Sequence, residues 1–336
     1  MANDYVLFIH GVNTRSQAIK ADYADNLIKL IKLTTPIKPL VVYWGDLNEP
    51  LEKKLRDGYQ NSGIWNDLWF KDIRLQQLVR FAGDAALYLS RYVGAGVVDK
   101  VAEQVAQLKD CTSEDRLHLV THSLGTIILF DILFSSRWEQ KGINGYDSVL
   151  MIRDAIYGVT GKDPDPKQGI RLGSITTMGS PIGLFSLTDV DSPAADAQSD
   201  PSKATSTHDI TPSLVQLLQS LNQELKGSKL PWRNFVHPGD PIGSPLEGIL
   251  PGMVDENKTY IDLKDILVPA DLAEDLDDIK ESFPKGFLDL VLDLEARLLS
   301  QTVFDILDGA NAHSGYWESS HVSEAISQLI KQSKSA

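Results

Sequence analysis

The five residues Thr121-His122-Ser123-Leu124-Gly125 follow the apolar run Leu117-His118-Leu119-Val120 and open directly onto Ile127-Ile128-Leu129-Phe130. With no loop between two buried elements, a short strand has to turn sharply into a helix. A serine at that bend is forced out of both elements, so its hydroxyl stands at the carboxyl end of the strand beside the first amides of the helix. The turn brings neighbouring backbones close, and large flanking side chains would collide. Gly125 meets this requirement on one side, whereas Thr121 stands where a glycine is more usual. A serine that merely caps a core helix would fit the same five residues, and the rest of the chain has to separate the two readings.

That context is a repeated strand-and-helix pattern. Tyr5-Val6-Leu7-Phe8-Ile9 runs into His10-Gly11-Val12-Asn13, and Leu40-Val41-Val42-Tyr43-Trp44 runs into Gly45-Asp46; both read as buried parallel strands. Between them, Ala21, Ala24, Leu27, Ile28 and Ile31 recur with the spacing of one helical face. A strand, a helix and a strand in this order specify a right-handed crossover and a parallel sheet. Further strands are expected at 172–178, 234–236 and 259–263. The expected architecture is an α/β, mostly parallel, doubly wound sheet, whose sites lie outside the carboxyl ends of its strands.

On these residues the chain resembles the α/β-hydrolase superfamily, and within it the bacterial serine esterases and lipases. The likeness rests on Ile9-His10-Gly11-Val12-Asn13, Thr121-His122-Ser123-Leu124-Gly125 and Met178-Gly179-Ser180-Pro181. A fourth element is the pair Pro238-Gly239-Asp240-Pro241-Ile242 and Ala312-His313-Ser314-Gly315-Tyr316-Trp317. The superfamily orders its catalytic groups serine, acid, histidine along the chain, which the resemblance maps onto Ser123, Asp240 and His313. It also implies an oxyanion hole from the N–H groups of Val12 and Leu124. The chain departs from the superfamily at one edge: its first strand already carries the oxyanion loop, so a sheet lacking the superfamily's N-terminal antiparallel hairpin is expected. His10, Gly11, Asn13, His122, Ser180 and Trp69 are the candidates for lining a substrate site. Asp262, Asp265 and Asp189 remain substitutes for the acid. Consecutive side chains at such a turn diverge, which makes His122 a packing residue rather than the base. His10 is expected to shape the first loop.

The chemistry asks for this set. A serine hydroxyl is a poor nucleophile at neutral pH until an imidazole accepts its proton, and a carboxylate holds that imidazole in the right tautomer. Each oxyanion donor is worth roughly 3 kcal/mol, about a hundredfold in rate. With His313 as base, the rate should rise with pH through about 6 to 7. The implied activity is carboxylic-ester hydrolysis through an acyl-enzyme. A thioesterase or acyltransferase would use the same groups, a lyase or haloperoxidase-like reaction is a more distant option, and a non-catalytic interaction module on the same fold would use none of them.

Three insertions are expected in a single domain spanning 1–336: a helical cap at 48–110, rich in aromatics such as Trp65, Trp69 and Phe70; a Ser/Asp/Pro-rich mobile loop at 189–212; and a helical insertion at 264–308. With 32 Lys and Arg against 46 Asp and Glu, the net charge is −14. This disfavours nucleic acid and anionic lipid as partners, whereas the small or lipid-like ester that the resemblance implies as substrate would, if neutral, be indifferent to the field. No charge-free run reaches the ~18 residues of a membrane span, and no secretory signal opens the sequence. The single Cys111 cannot form an intrachain disulfide. No metal-ligand spacing occurs, so no metal or other cofactor is expected, and the protein is read as cytoplasmic.

Overall fold

Runs of apolar residues that alternate between two buried faces need helices on both sides of their sheet, and this is what the chain builds. The computed structural model describes residues 2–12, 14, 22–67, 84, 88, 90–112, 114–138, 141–156, 169–185, 218–219, 222–223, 227–255, 257–269 and 312–334. Among them, six strands form one sheet: β1 (Asp4–Ile9), β2 (Lys38–Val42), β3 (Arg116–His122), β4 (Arg171–Met178), β5 (Leu230–Val236) and β6 (Ile261–Leu267), in the order β2-β1-β3-β4-β5-β6. Every neighbouring pair is parallel, and no antiparallel hairpin is present among the described residues. The α/β fold expected from the sequence is therefore the one observed.

The main helices are α1 (Asp25–Leu30), α2 (Glu49–Gln60), α3 (Arg91–Val105), α4 (Leu124–Phe134), α5 (Tyr146–Ala155) and α6 (Ser320–Ser333). The period-two alternation of the strands divides the core into two layers. Leu7, Ile9, Leu117 and Leu119 pack with Val97, Val98 and Val101 of α3, Ile127 and Ile128 of α4, and Val149 and Ile152 of α5. Val6, Phe8 and Val120 face the other way, against Leu27 of α1 and Val322, Ile326 and Ile330 of α6. The sheet is thus wound on both faces.

The observed elements correct several expected boundaries. Helix α3 lies inside 48–110 but packs on the sheet face against β2 and α5, with Val97, Val98 and Val101 fully buried; that part of the expected cap belongs to the core. β5 begins at Leu230, four residues before the expected 234; Pro231 and Arg233 interrupt its apolar pattern and conceal its start in the sequence. β6 continues to Leu267, so the helical insertion does not start at 264; Lys264 and Asp265 hid the continuation, which an edge strand with one open side can carry. Residues 189–212, 270–308, Asn13, Trp69, Phe70 and Asp189 lie outside the described residues.

Candidate active site

Register alone brings the loops together. Ile9 pairs with Thr121, His122 with Met178 and Met178 with Phe235, so the segments after β1, β3, β4 and β5 all leave the sheet at one carboxyl edge. Ser123 occupies the bend between β3 and α4 with φ 52° and ψ −128°, a conformation that costs a non-glycine residue on the order of 1–3 kcal/mol. The surrounding structure holds it there. Its N–H donates to the Met178 carbonyl at 2.9 Å, and its carbonyl accepts from the Thr126 N–H at 2.9 Å and the Thr126 hydroxyl at 2.7 Å.

Close approach explains the two flanking glycines. A Cβ on Gly125 would lie 2.5 Å from the Ile9 carbonyl oxygen and 2.6 Å from that of His10. A Cβ on Gly11 would overlap the Ser123 Cβ and stand 2.9 Å from its Oγ. The loop after β1 therefore runs against the serine itself, with the Val12 peptide next in line. Leu124 opens α4, so its N–H belongs to the first turn, where no helix carbonyl can reach it.

Although Ser123 is the N-cap residue of α4, its side chain makes no capping hydrogen bond. The hydroxyl instead donates to Nε2 of His313 at 2.7 Å, and His313 Nδ1–H donates to Oδ1 of Asp240 at 2.9 Å. Residues 190 and 73 positions apart in sequence thus form one hydrogen-bonded chain. All three are buried, Ser123 at 2% exposure and His313 at 9%. Oδ1 of Asp240 also accepts from the Ile242 N–H at 2.9 Å, and Oδ2 accepts from the Tyr316 hydroxyl at 2.7 Å. Burial pushes this carboxyl up, but the hydrogen bonds and charge of His313, with Tyr316 and the Ile242 amide, outweigh it and hold the group at about 2. Asp240 is ionised at neutral pH. Burial, and then the Asp240 charge, drive the Tyr316 phenol well above its ordinary range, so it stays a donor.

Tyr316 also accepts the His237 N–H at 2.8 Å, tying the acid's carboxylate to the start of its own loop. The far end of that loop is held by Asp265, whose carboxylate accepts the Leu246 and Glu247 N–H groups and the Asn234 side-chain amide. Asp265 is thus a loop anchor, and Asp262 pairs with Arg233 at 2.7 Å; the structure brings neither of these substitutes to His313.

The remaining candidates have other partners. His10 is fully buried and stacked on Trp44; its Nε2 accepts the Trp44 N–H at 3.1 Å, which leaves Nδ1–H to donate to the Gly11 carbonyl at 2.7 Å. It faces protein, not an open site, and it fixes the Gly11–Val12 peptide. Ser180, expected to line the substrate site, is also fully buried: its hydroxyl donates to the Thr126 Oγ1 at 2.9 Å and accepts the Ile182 N–H at 3.3 Å, bracing the serine turn from below. His122, another of those candidates, points under the His313 loop and donates Nε2–H to the His313 carbonyl. Tyr316 was missed at the sequence level; the available signal was its position three residues after His313, in the 3₁₀ helix Gly315–Glu318 that follows it.

No protein-family model matches the chain, and no curated protein matches it. Among solved structures, the chain is similar to RedJ-thioesterase from the prodiginine biosynthetic pathway in Streptomyces coelicolor, at 10% sequence identity over 79% of this chain and 77% of that one, with a TM-score of 0.25. A superposition that loose assigns no activity.

Proposed function

We propose that the protein is a serine hydrolase that cleaves carboxylic esters through an acyl-enzyme on Ser123. One observation carries this reading: a strained serine at a helix N-cap that declines to cap the helix and donates its hydroxyl proton to a carboxylate-paired imidazole. A serine with a structural role has no need of either feature.

In this reading Ser123 Oγ bonds to the ester carbonyl carbon while its proton passes to His313 Nε2. The imidazolium that forms is stabilised by the ionised Asp240, which accepts Nδ1–H throughout and is not itself protonated. The negative oxygen is received by the N–H groups of Leu124 and Val12, the latter held by His10 through the Gly11 carbonyl. Collapse breaks the carbon–oxygen bond of the leaving group, which departs as an alcohol with the proton from Nε2. Water then repeats the sequence on the acyl-enzyme, and the acid is released.

The test is a panel of p-nitrophenyl esters from acetate to palmitate, run with Ser123→Ala. Hydrolysis should fall by roughly 10⁴-fold or more in the variant while its thermal unfolding stays close to that of the parent. Substantial residual turnover would show that another residue attacks. Added alcohols or thiols, with product analysis, separate hydrolysis from acyl transfer.

A further inference from the structure

Among the described residues, His122 is the one whose geometry exceeds its expected role. It precedes the serine, ends β3 and is 4% exposed, wedged between rings: His313 at 4.7 Å between centroids, Tyr316 at 5.7 Å and Trp317 edge-on at 5.8 Å. A packing residue in that wedge would be served by phenylalanine or leucine. Histidine brings a polar ring into a buried place, and one of its nitrogens, Nδ1, finds no hydrogen-bond partner among the described residues, which costs stability that an apolar side chain would not. The other nitrogen donates to the main-chain carbonyl of His313.

We propose that His122 is a positioning residue that fixes the orientation of the base relative to the nucleophile. The inference rests on the functional reading above. From Ser123 the covalent chain leads back one residue to His122; the His122 ring reaches the His313 backbone; the His313 ring returns to Ser123 Oγ. This closed ring has hydrogen bonds at two points. The bonds from Nε2 to Ser123 Oγ and from Nδ1 to Asp240 both hold the His313 ring through its side chain; the bond from His122 falls on the main chain of the same residue and fixes where that ring is anchored. The ring needs the His122 proton on Nε2, and a second proton on Nδ1 would set a positive charge beside the imidazolium that His313 becomes. Burial, and then the neighbouring His313, hold it down to about 3, so it remains a neutral donor while His313 gains and loses its proton.

The structure separates this role from packing through conservative variants. His122→Leu fills the space and removes the donor; His122→Gln keeps an N–H at the position of Nε2. Both are assayed well below their unfolding temperatures beside the parent and Ser123→Ala, measuring kcat, KM and the rate of Ser123 phosphonylation by a fluorophosphonate. Misplacing a reacting group by about 1 Å costs on the order of a hundredfold. His122→Leu should lose 10- to 100-fold in kcat and in phosphonylation with KM within about twofold, and His122→Gln should recover most of both. His122→Leu turning over like the parent, or His122→Gln as slow as His122→Leu while folded, would overturn the proposal and leave the enzyme reading intact. A parent without Ser123-dependent turnover would remove both.

Discussion

Asp240 carries its charge among three donors, from His313, Ile242 and Tyr316, and Tyr316 is the one that can be removed without touching the backbone or the base. A hydrogen bond to a charged group is worth about 1.5–3 kcal/mol net, and its loss here falls on the carboxylate that orients the imidazole. Tyr316→Phe should therefore fold, lower kcat by about tenfold and let Asp240 titrate above its value of about 2. Steady-state kinetics and a carbon-13 NMR titration of the Asp240 carboxyl check both. An unchanged kcat with an unchanged titration would mean that the tyrosine only fills space. At this scale the sequence pointed to Ser123, Asp240 and His313, which the fold brings together, but not to how they are held. Ser123 and Asp240 follow the ends of β3 and β5, and His313 stands in a stretch rich in Gly, Asn and Ser, where polar side chains are conspicuous. The bonds from His122 to the His313 carbonyl and from Tyr316 to Asp240 span 191 and 76 positions, and no local pattern announces a partner that distant.

Among elements, the strand-to-helix bend is the tightest fit. The carbonyls of Ile9 and His10 lie where a Gly125 side chain would be, so α4 rests on the end of β1 through that glycine. Gly125→Ala must push α4 away from β1. Overpacking of this kind costs about 1–3 kcal/mol, and the same shift moves Ser123 relative to the loop after β1. We expect a lower midpoint in urea together with a loss of activity larger than the stability change accounts for. Parent-like values of both would show that the bend is loose enough to admit a methyl group. β1, β3 and α4 were legible because their apolar runs are uninterrupted, as elements buried on both sides require. The start of β5 and the end of β6 were hidden by Pro231, Arg233, Lys264 and Asp265, residues that the sheet tolerates at a strand start and along an open edge. Helix α3 was placed wrongly because an apolar helix reads alike whether it covers a site or a sheet.

Across the whole molecule, the ends of the sheet divide the work. The carboxyl edge holds the proposed site, whereas the amino edge is clamped around Asp4, which is 3% exposed, with Arg116 Nε at 2.8 Å and Lys334 Nζ at 2.9 Å. Burial pushes the Asp4 carboxyl up, but contacts with His118, Arg116 and Lys334 outweigh it and hold it well below the usual carboxylate range. His118 is pushed down by its own burial despite Asp4, and His122 lies at about 3. All of these shifts act with one sign. Where the pH falls below about 6.5, the unfolded chain gains protons on both histidines that the folded chain refuses; below about 4 the same holds for Asp4 and Asp240. Stability should be greatest above about 6.5 and fall in two stages toward acid. Asp4→Asn should flatten the lower stage and remove roughly 3–5 kcal/mol at neutral pH, because it leaves Arg116 buried beside a neutral group. Denaturant midpoints between pH 3 and 8 decide this, and a profile flat from 8 to 4 would contradict it. Among the described residues no helix is long and apolar enough to cross a membrane.

The most direct measurement is the site and rate of covalent capture: the parent, Ser123→Ala and His313→Ala are exposed to a fluorophosphonate, and the modified peptide is located by mass spectrometry. One adduct is expected on the peptide containing Ser123, none in Ser123→Ala, and labelling of His313→Ala slowed by at least about a hundredfold, the scale of general-base assistance. No adduct on the folded parent, an adduct on a different residue, or equally fast labelling without His313 would contradict it.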